Sequence, residues 1–405
     1  MAEIKVPFHK AAITKEEENA VLDVLRSGWL TTGKYALEFE KKFSAAVSKG
    51  DEQADRAPVI SLAVNSNTSG MILAMEACGV REGKAVITTP YTFVSTAACA
   101  RHLNADVYFA DVEKDTYSID PDKIEEILKK HADRVQAIVP VHIAGNICNM
   151  KRIMELAKKY STPDHKIYVI EDAAHSFPSP TSLGYAGTIG DAGVFSFYVT
   201  KTITTAEGGM VCTRDQELAR HMTVMRMHGM DRTTWDRYTS PRASWEYDII
   251  APGYKFNLPD VLAAIGCCQV DRAELFYEQR KRIVEKYNEA FAGLDFIKLP
   301  PDGEGNSWHL YLMRIVPEKL KITREEFAKK MQEAGLGISV HIIPIFHFTY
   351  WKELYPDFTA ENYPNAEDQY NTTISIPLFP DMTDEQAQLV IDTVTRIGNE
   401  NRSKA

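Results

Sequence analysis

Three short segments of the chain carry side chains that could do chemistry together. The segment 191–212, DAGVFSFYVTKTITTAEGGMVC, holds a lone lysine, Lys201. A lysine beside apolar side chains can lose its proton near neutral pH, and a neutral amine can form a Schiff base. Asp172 could pair with a protonated ring nitrogen, and the polar segment 65–68 could bind a phosphate. Most lysines are solvated surface charges, so the chemistry depends on whether the fold brings these segments together.

The elements that must position these residues are apolar runs that alternate with helical patterns. The runs are VISLAV, AVITT, VYFADV, AIVPV and IYVIED, and the patterns between most of them include GMILAMEACG, PDKIEEILKK and MKRIMELAKKY. Nearly continuous apolar strands separated by helices predict a mostly parallel sheet between helices, which is an α/β fold. Ligands on such sheets bind beyond the carboxyl ends of the strands. The three segments all fall at such ends.

The lysine segment has a local pattern of its own. The apolar run VFSFY predicts a strand, Lys201 follows in a tight turn, and Gly208 and Gly209 permit a bend into a second strand. The segment 65–68 opens a helix, and polar residues there serve either as ordinary N-caps or as part of a phosphate site at the free backbone N–H groups.

The length of 405 residues predicts one large domain and one smaller domain. We place the large domain at residues 1–270 and a smaller C-terminal α+β domain at residues 271–405, joined by a long charged helix that begins near Asp271. Residues 226–250 are aromatic and polar without a clear period, which predicts a long functional or partner-contacting loop.

Composition and charge exclude several classes of protein. The formal net charge of −10 argues against nucleic acid or an anionic membrane as a partner, although one local pocket could still bind a nucleotide-linked ligand. The six cysteines show no metal-ligand spacing and are predicted to be buried free thiols. No run approaches the roughly 18 apolar residues of a membrane span, and the N-terminus has no apolar signal core, so a cytoplasmic location is expected.

The chain resembles the DegT/DnrJ/EryC1/StrS family of pyridoxal-phosphate-dependent sugar aminotransferases. The resemblance runs nearly end to end and rests on SGWLTTG, TTPYTFVSTA, PVHIAGN, VIEDAAHS, GDAGVFSFYVTKTITTAEGGM, GYKFNLPDVLAAIG, WHLYLMRI, and HIIPIFH followed by ISIPLFP. It implies the aspartate aminotransferase-like fold of type I, with a mostly parallel seven-stranded sheet in the large domain. It also implies a homodimer with shared active sites.

Applied residue by residue, the family pattern makes Lys201 the catalytic lysine, which forms the Schiff base with pyridoxal 5'-phosphate. Asp172 becomes the partner of the pyridine nitrogen, and Phe93 falls where the family places an aromatic ring over the cofactor. His175 occupies a position where the family has Gln or His near the cofactor.

Three further positions correspond to phosphate contacts, namely Asn67, Thr68 and Ser196. Here the family commonly has Ser-Gly-Thr, whereas this chain has Ser66-Asn67-Thr68, so the turn must form without the freedom of glycine. Asn tolerates a left-handed conformation better than most residues, and we expect the turn to form.

The segment GYKFNLPD is the second departure from the family pattern. The family often has Asn at the third position, where this chain has Lys255, with Asn257 two residues later. Residues of this loop reach the phosphate of the neighbouring subunit in the family. Asn257 is therefore the candidate for this contact, and Lys255 is the alternative.

Four residues are candidates for substrate contacts: Trp29, Thr31, His341 and His347. Trp29 and Thr31 lie in a turn-rich loop that could line a pocket, although a Trp packed on the core is an equal alternative. His341 and His347 lie six residues apart near a strand end.

The resemblance implies a ping-pong reaction in which L-glutamate is the donor, 2-oxoglutarate the co-product and a nucleotide-linked keto-sugar the acceptor. The cofactor becomes pyridoxamine 5'-phosphate in the aminated half-cycle. The preferred acceptor is a 4-keto-6-deoxyhexose, and a 3-keto-sugar is the alternative. The family also includes dehydratases with His in place of the lysine, and Lys201 argues against that branch.

Two rival functions remain open at this point. A fold-related transferase for free amino acids would need an arginine clamp for the second carboxylate, and the sequence identifies none. A non-catalytic, cofactor-binding regulatory protein would share the fold without the activity.

Overall fold

A computed structural model describes residues 3–49, 56–231 and 246–403. The helices of these ranges are α1 (Lys15–Ser27), α2 (Lys34–Val47), α3 (Asn67–Ala77), α4 (Val94–His102), α5 (Pro121–His131), α6 (Met150–Tyr160), α7 (Gln216–Met225), α8 (Asp260–Asp271), α9 (Ala273–Phe291), α10 (Arg324–Glu333), α11 (Thr349–Leu354), α12 (Pro364–Thr372) and α13 (Asp384–Glu400). The strands are β1 (Ile60–Val64), β2 (Ala85–Thr88), β3 (Asp106–Phe109), β4 (Val135–Ile138), β5 (Tyr168–Asp172), β6 (Pro180–Thr181), β7 (Gly184–Tyr185), β8 (Ala192–Ser196), β9 (Gly209–Thr213), β10 (Ile297–Lys298), β11 (Tyr311–Ile315) and β12 (Thr373–Ile376).

The central sheet has seven strands in the order β1-β9-β8-β5-β4-β2-β3. The pairs from β8 to β3 are parallel, while β9 lies antiparallel between β1 and β8. The strands are buried almost throughout, because helices cover the apolar side chains on both faces. The prediction of a mostly parallel α/β sheet is confirmed.

Local sequence signals fix several helix ends. Thr14 and Glu17 form a capping box at the start of α1, and Thr323 with Glu326 does the same for α10. The helix α1 ends at Gly28, whose φ of 74° is a left-handed conformation that glycine adopts without a steric cost. The two capping boxes satisfy N–H groups that have no acceptor within the helix, while the Gly28 N–H donates to the Leu25 carbonyl.

A second core lies around the three-stranded antiparallel sheet β10-β11-β12. The long helix α9 and the helices α10 and α13 pack against this sheet and contribute its apolar residues. The N-terminal residue Val6 also belongs to this core and pairs with Leu336. The domain boundary at residue 270 stays a prediction.

The cysteines agree with the sequence-based expectation. Five cysteines are buried free thiols and Cys268 is half-buried. Among the described residues, no helix is both long and apolar enough to cross a membrane. Residues 232–245 of the expected long loop lie outside the described residues, and Met230 pairs with Ile249 where the chain enters and leaves it.

Candidate active site

The carboxyl ends of β1, β5 and β8 bring the three predicted segments together. Asp172, the last residue of β5, pairs with Val194 of β8. Across the antiparallel strand β9, Gly209 pairs with both Ser196 of β8 and Val64 of β1. The loop that carries Lys201 connects β8 to β9, as the sequence pattern predicted.

The carboxylate of Asp172 is buried and held by three donors. Thr96 Oγ1 donates to Oδ2 at 2.7 Å, while the Ala174 N–H donates to Oδ1 at 3.2 Å and Asn67 Nδ2 lies 3.4 Å from the same oxygen. Burial raises the pKa of Asp172, and the Thr96 hydroxyl, the Ala174 N–H and the charge of Lys201 oppose that rise. The site therefore contains one carboxylate in a fixed orientation.

Lys201 is half-buried, and its backbone N–H donates to the Tyr198 carbonyl at 2.9 Å. Burial lowers the pKa of its amine to about 8, although the charge of Asp172 works in the opposite direction. About a tenth of the amine is therefore neutral at pH 7, far more than for a lysine with the ordinary pKa. A neutral amine is the reactive form for Schiff-base chemistry.

The helix α3 begins at the predicted phosphate segment. Ser66 is its N-cap, with a side-chain oxygen that accepts from the Ser69 N–H at 3.1 Å. Asn67 and Thr68 lie in the first turn, whose N–H groups lack an acceptor within the helix and can bind an anion. Asn67 has helical backbone geometry, so this turn needs no glycine.

The close approach that requires glycine occurs at Gly209 instead. A Cβ atom there would lie 2.7 Å from both the Asn67 nitrogen and the Ser66 carbonyl carbon. The side chain of Asn67 points away from the helix start, because Nδ2 donates to the Val194 carbonyl at 3.0 Å. This amide therefore supports Asp172, and the backbone of Asn67 is the part available to a phosphate.

Ser196 and Phe93 flank this arrangement. Ser196 is the last residue of β8, and its hydroxyl lies 3.4 Å from the Tyr198 nitrogen. Phe93 is the N-cap residue of α4 and is 65% exposed, although it follows a buried strand. An exposed aromatic ring at the carboxyl edge of the sheet can cover a flat ligand. The cofactor contacts of both residues stay predictions.

Three histidines whose pKa values are lowered feel the charge of Lys201. His175 Nδ1 accepts from the Ala144 N–H at 3.1 Å, and its ring centroid lies 4.4 Å from that of His309. Burial lowers the pKa of both well below the ordinary value. His341 Nδ1 lies 3.0 Å from Ser375 Oγ, and burial together with the charge of Lys201 lowers its pKa to about 4.

The other predicted substrate contacts lie in separate local networks. The Trp29 indole N–H donates to the Thr32 carbonyl at 3.2 Å, and Thr31 is exposed. His347 Nε2 lies at hydrogen-bond distance, 2.8 Å, from Glu367 Oε2. Their roles in substrate binding stay predictions.

The segment that contains Lys255 and Asn257 lies beside the end of β1. The Asn65 N–H donates to the Phe256 carbonyl at 2.8 Å, and Asn257 Nδ2 donates to Thr32 Oγ1 at 2.6 Å. Lys255 is exposed, its Nζ is 3.3 Å from Met227 Sδ, and burial of the amine lowers its pKa. The choice between the two residues for a neighbouring phosphate stays open.

Sequence reasoning missed two supporting residues of the site. Thr96 is the partner of Asp172 and lies one helical turn after Phe93, within the segment TTPYTFVSTA. Asp260 ends the segment GYKFNLPD, and its carboxylate accepts from the N–H groups of Gly33 at 2.7 Å and Ala36 at 3.0 Å. It thereby caps α2 from a distant part of the chain.

A buried pair behind Asp172 was missed as well. His142 Nε2 lies 3.0 Å from Glu171 Oε2, and both side chains are fully buried. The Glu171 carboxylate also accepts from the N–H groups of Gly187, Ile189 and Gly190 at 2.8 Å each. Because the His142 N–H donates to the Asp172 carbonyl at 3.2 Å, this network fixes the end of β5.

The donor set fits pyridoxal phosphate. A buried carboxylate can hold a protonated ring nitrogen, an amine with a pKa of about 8 can attach an aldehyde, and the start of α3 can bind a phosphate. All three lie at one edge of the sheet, where α/β folds bind their ligands.

Comparison with known proteins identifies the family of the chain. The model of the DegT/DnrJ/EryC1/StrS aminotransferase family matches residues 11–395. The spore coat polysaccharide biosynthesis protein SpsC of Bacillus subtilis (strain 168) is 38% identical over 395 residues, which covers 97% of each chain.

Two solved structures share the fold over nearly the whole chain. Spr1654 from Streptococcus pneumoniae, described as a sugar aminotransferase and solved in its PMP form, has a TM-score of 0.88 at 29% identity, with 98% of this chain and 100% of that chain covered. Helicobacter pylori PseC, an aminotransferase involved in the biosynthesis of pseudoaminic acid, has a TM-score of 0.83 at 26% identity, with 98% and 99% covered. The chain therefore belongs to the DegT/DnrJ/EryC1/StrS family and is a pyridoxal-phosphate-dependent sugar aminotransferase.

Proposed function

We propose that this enzyme moves an amino group from L-glutamate to the keto group of a nucleotide-linked sugar, with a 4-keto-6-deoxyhexose as the preferred acceptor. The observation that carries the proposal is the combination of Lys201, whose pKa is lowered to about 8, with the buried carboxylate of Asp172 at the same crevice. Membership of the family supports the reaction class, and the acceptor and donor rest on the resemblance.

Pyridoxal phosphate, when bound, supplies the electron sink of the reaction. The negative charge of Asp172 would keep a proton on the ring nitrogen. Thr96 and the Ala174 N–H hold the carboxylate in the orientation that this contact needs. The pair His142 and Glu171 holds the end of β5 from behind. These contacts keep the carboxylate in place during both half-reactions.

Lys201 has two tasks in this proposal. Its neutral Nζ attaches the cofactor before the donor arrives. With donor and cofactor in place, the same Nζ would accept the proton that leaves the donor carbon and would later return a proton to the product. A pKa of about 8 suits both directions, because the amine can take up and release a proton near neutral pH.

The phosphate of the cofactor is proposed to bind at the N–H groups of Asn67 and Thr68 and at the Ser196 hydroxyl. A helix start favours negative charge through its unpaired N–H groups and its dipole. We further propose that Phe93 covers the ring and that His175 and His341 contact the cofactor or the substrate as uncharged donors and acceptors. Trp29, Thr31 and His347 remain candidates for the outer part of the sugar site.

We also propose a homodimer in which residues 226–257 of one subunit reach the partner's cofactor phosphate through Asn257 or Lys255. The resemblance of the segment GYKFNLPD to the family supports it. The buried free thiols support a cytoplasmic location, where such thiols stay reduced.

Complementation tests the shared sites directly. Lys201→Ala subunits are mixed with subunits that carry Asn257→Ala or Lys255→Ala. If the sites are shared across the interface, a mixed dimer has one intact site, made from Lys201 of one subunit and the loop residue of the other. Recovery of part of the activity on mixing supports the proposal and identifies the contributing residue. An active monomer in sedimentation would contradict it.

Half-reactions test the substrates separately. The enzyme is first converted with L-glutamate, and then offered nucleotide-linked 4-keto sugars, 3-keto sugars and free keto acids in parallel. Amination of the 4-keto sugar is the expected result, and the aminated carbon is assigned by NMR of the product. Turnover confined to free keto acids would overturn the sugar proposal.

A further inference from the structure

The segment 5–12 is bound along its backbone to the smaller domain. The Val6 N–H donates to the Gly335 carbonyl at 3.2 Å, and the Gly337 N–H donates to the Val6 carbonyl at 2.8 Å. Gly337 permits this close approach, because a Cβ atom there would lie 2.4 Å from the Phe8 nitrogen. The backbone that carries Phe8 is therefore held in a fixed register.

The side chains of this segment reach different apolar cores. Val6 is buried in the second core, Phe8 packs against the core of the central sheet, and Ala12 is buried among residues of α2 and α8. The Ala12 carbonyl also accepts from Gln269 Nε2 of α8 at 3.0 Å. The segment thus passes from the second core to the large domain, and Phe8 lies between its two points of attachment.

Phe8 stacks on the ring of His341, one of the candidate substrate contacts. The two ring centroids are 5.4 Å apart and the ring planes are inclined by 20°. Ser375 Oγ lies 3.0 Å from His341 Nδ1 and accepts from the His341 N–H at 3.3 Å. The Tyr91 hydroxyl donates to the His341 carbonyl at 2.8 Å. Contacts from three separate parts of the chain therefore fix the backbone, one ring face and one ring nitrogen of this histidine.

The second ring nitrogen of His341 is available to a ligand. Among the described residues, Nε2 has no hydrogen-bond partner. Because Ser375 Oγ already accepts the backbone N–H, its own proton can be donated to Nδ1, which leaves the ring proton on Nε2. Burial and the charge of Lys201 lower the pKa of the ring, so it is uncharged at neutral pH. Nε2 can therefore serve as an uncharged hydrogen-bond donor.

We propose that Phe8 is a positioning residue of the sugar site: its ring holds the His341 imidazole in the orientation that presents Nε2 to an oxygen atom of the keto-sugar. A neutral N–H suits a sugar oxygen, whereas the carboxylates of the amino donor form stronger hydrogen bonds with cations. The segment 5–12 is then part of the active site. This role rests on the proposed function, because it requires a sugar acceptor that contacts His341.

The alternative explanation is a merely structural contact, in which Phe8 only buries apolar surface between the two domains. The two roles differ in what the loss of the aromatic ring does. A structural contact lowers the free energy of unfolding and affects both half-reactions alike. A positioning contact changes the orientation of His341 and weakens the binding of the sugar, while the reaction with L-glutamate proceeds as before.

The variants separate the aromatic ring from the apolar contact. Phe8→Leu removes the ring and retains an apolar side chain, whereas Phe8→Tyr retains the ring that stacks on His341. Ile4→Ala is the matched control, because Ile4 is an apolar residue just before the segment and is 68% exposed. Thermal unfolding is recorded for each variant, so that a folding defect is recognised.

Crystal structures of the apoenzyme variants are the first measurement and require neither substrate nor cofactor. In the native enzyme, Phe8→Tyr and Ile4→Ala, we expect one orientation of the His341 ring, with Nδ1 at hydrogen-bond distance from Ser375 Oγ. In Phe8→Leu we expect the ring to rotate away or to occupy two orientations, because one of its faces is no longer covered. An unchanged His341 ring in Phe8→Leu would overturn the proposal.

The kinetics of the two half-reactions are the second measurement. Phe8→Leu is expected to raise the KM for the nucleotide-linked keto-sugar about threefold to tenfold, which corresponds to the loss of one hydrogen bond between uncharged groups. Phe8→Tyr and Ile4→Ala should have the native KM, and the L-glutamate half-reaction should keep its native rate in every variant. Equal losses in both half-reactions, or a native KM in Phe8→Leu, would overturn the proposal.

The two measurements also distinguish this inference from the proposed function. If the native enzyme aminates none of the keto-sugars, the proposed function fails, and the role of Phe8 in a sugar site fails with it. The orientation of His341 in the apoenzyme then still shows whether Phe8 positions the ring, since that measurement depends on no substrate.

Discussion

The Thr96 hydroxyl lies 2.7 Å from Oδ2 of Asp172, although the two residues are 76 positions apart in the chain. Thr96 belongs to α4 and Asp172 ends β5, so the bond joins a helix that follows one strand to the end of another. Thr92 Oγ1 lies 2.8 Å from Thr96 Oγ1 and extends the network. The orientation of the Asp172 carboxylate, which we propose pairs with the cofactor ring, thus depends on a residue outside the lysine segment.

Substitution of Thr96 tests this relationship. Thr96→Val keeps the shape and removes a hydrogen bond to a carboxylate, which is worth about 1.5–3 kcal/mol. We expect the affinity for pyridoxal phosphate to fall about tenfold to a hundredfold, measured by fluorescence titration of the apoenzyme. Thr223→Val is the control, since Thr223 bonds only the Ala219 carbonyl within α7 in the described structure. Equal affinities in the two variants would contradict the role of Thr96.

The pKa of Lys201 predicts how cofactor attachment depends on pH. Only the neutral amine reacts, so the rate of attachment to the apoenzyme should rise with pH and level off above about pH 8. Asp172 raises this pKa, and Asp172→Asn should therefore move the midpoint to lower pH. Stopped-flow absorbance after mixing with cofactor measures both midpoints. An upward shift in Asp172→Asn would show that the two groups are not coupled as described.

Asp260 is predicted to stabilise the fold through the start of α2. Its carboxylate accepts three N–H bonds from that helix, including Gly33 at 2.7 Å, and losing such a cap costs about 2 kcal/mol. Asp260→Ala should lower the free energy of unfolding in urea by this amount. Asp271→Ala, at the opposite end of α8 from Asp260, removes an exposed pair with Lys42 and should change stability by less than about 1 kcal/mol. Similar losses in both variants would refute the capping role.

Gly209 is predicted to be required for the phosphate turn. In Gly209→Ala the new Cβ would lie 2.7 Å from the Asn67 nitrogen, and overpacking of this kind costs about 1–3 kcal/mol. Both stability and cofactor affinity should fall, because the strained atoms are those proposed to bind the phosphate. Gly293→Ala is the control, since its Cβ would meet no atom within 4 Å. A native affinity in Gly209→Ala would separate this turn from cofactor binding.

Features encoded within a few residues were predictable from the sequence. The strand, turn and second strand around Lys201 follow from an apolar run and two glycines, and the capping boxes follow from pairs such as Thr14 and Glu17. The alternation of apolar runs and helical patterns likewise predicted the mostly parallel sheet. The physical reason is that these patterns act within one or two elements.

Features that depend on distant contacts were not predictable in this way. Asp260 lies 227 positions from Gly33, and Arg280 looks like any other charge in a polar helix until the fold buries it. The family pattern assigned Asn67 to the phosphate, whereas its amide lies against Asp172 and Val194. Such contacts depend on how strands and helices are arranged, which no local pattern specifies.

The central claim is that Lys201 is the residue to which pyridoxal phosphate attaches in this sugar aminotransferase. Reduction of the cofactor-loaded enzyme with borohydride, followed by proteolysis and mass spectrometry, locates the attached cofactor directly. We predict that the cofactor mass appears on the peptide that contains Lys201 and is lost in Lys201→Ala. Attachment to another lysine such as Lys255, or the absence of any attached cofactor, would contradict the account.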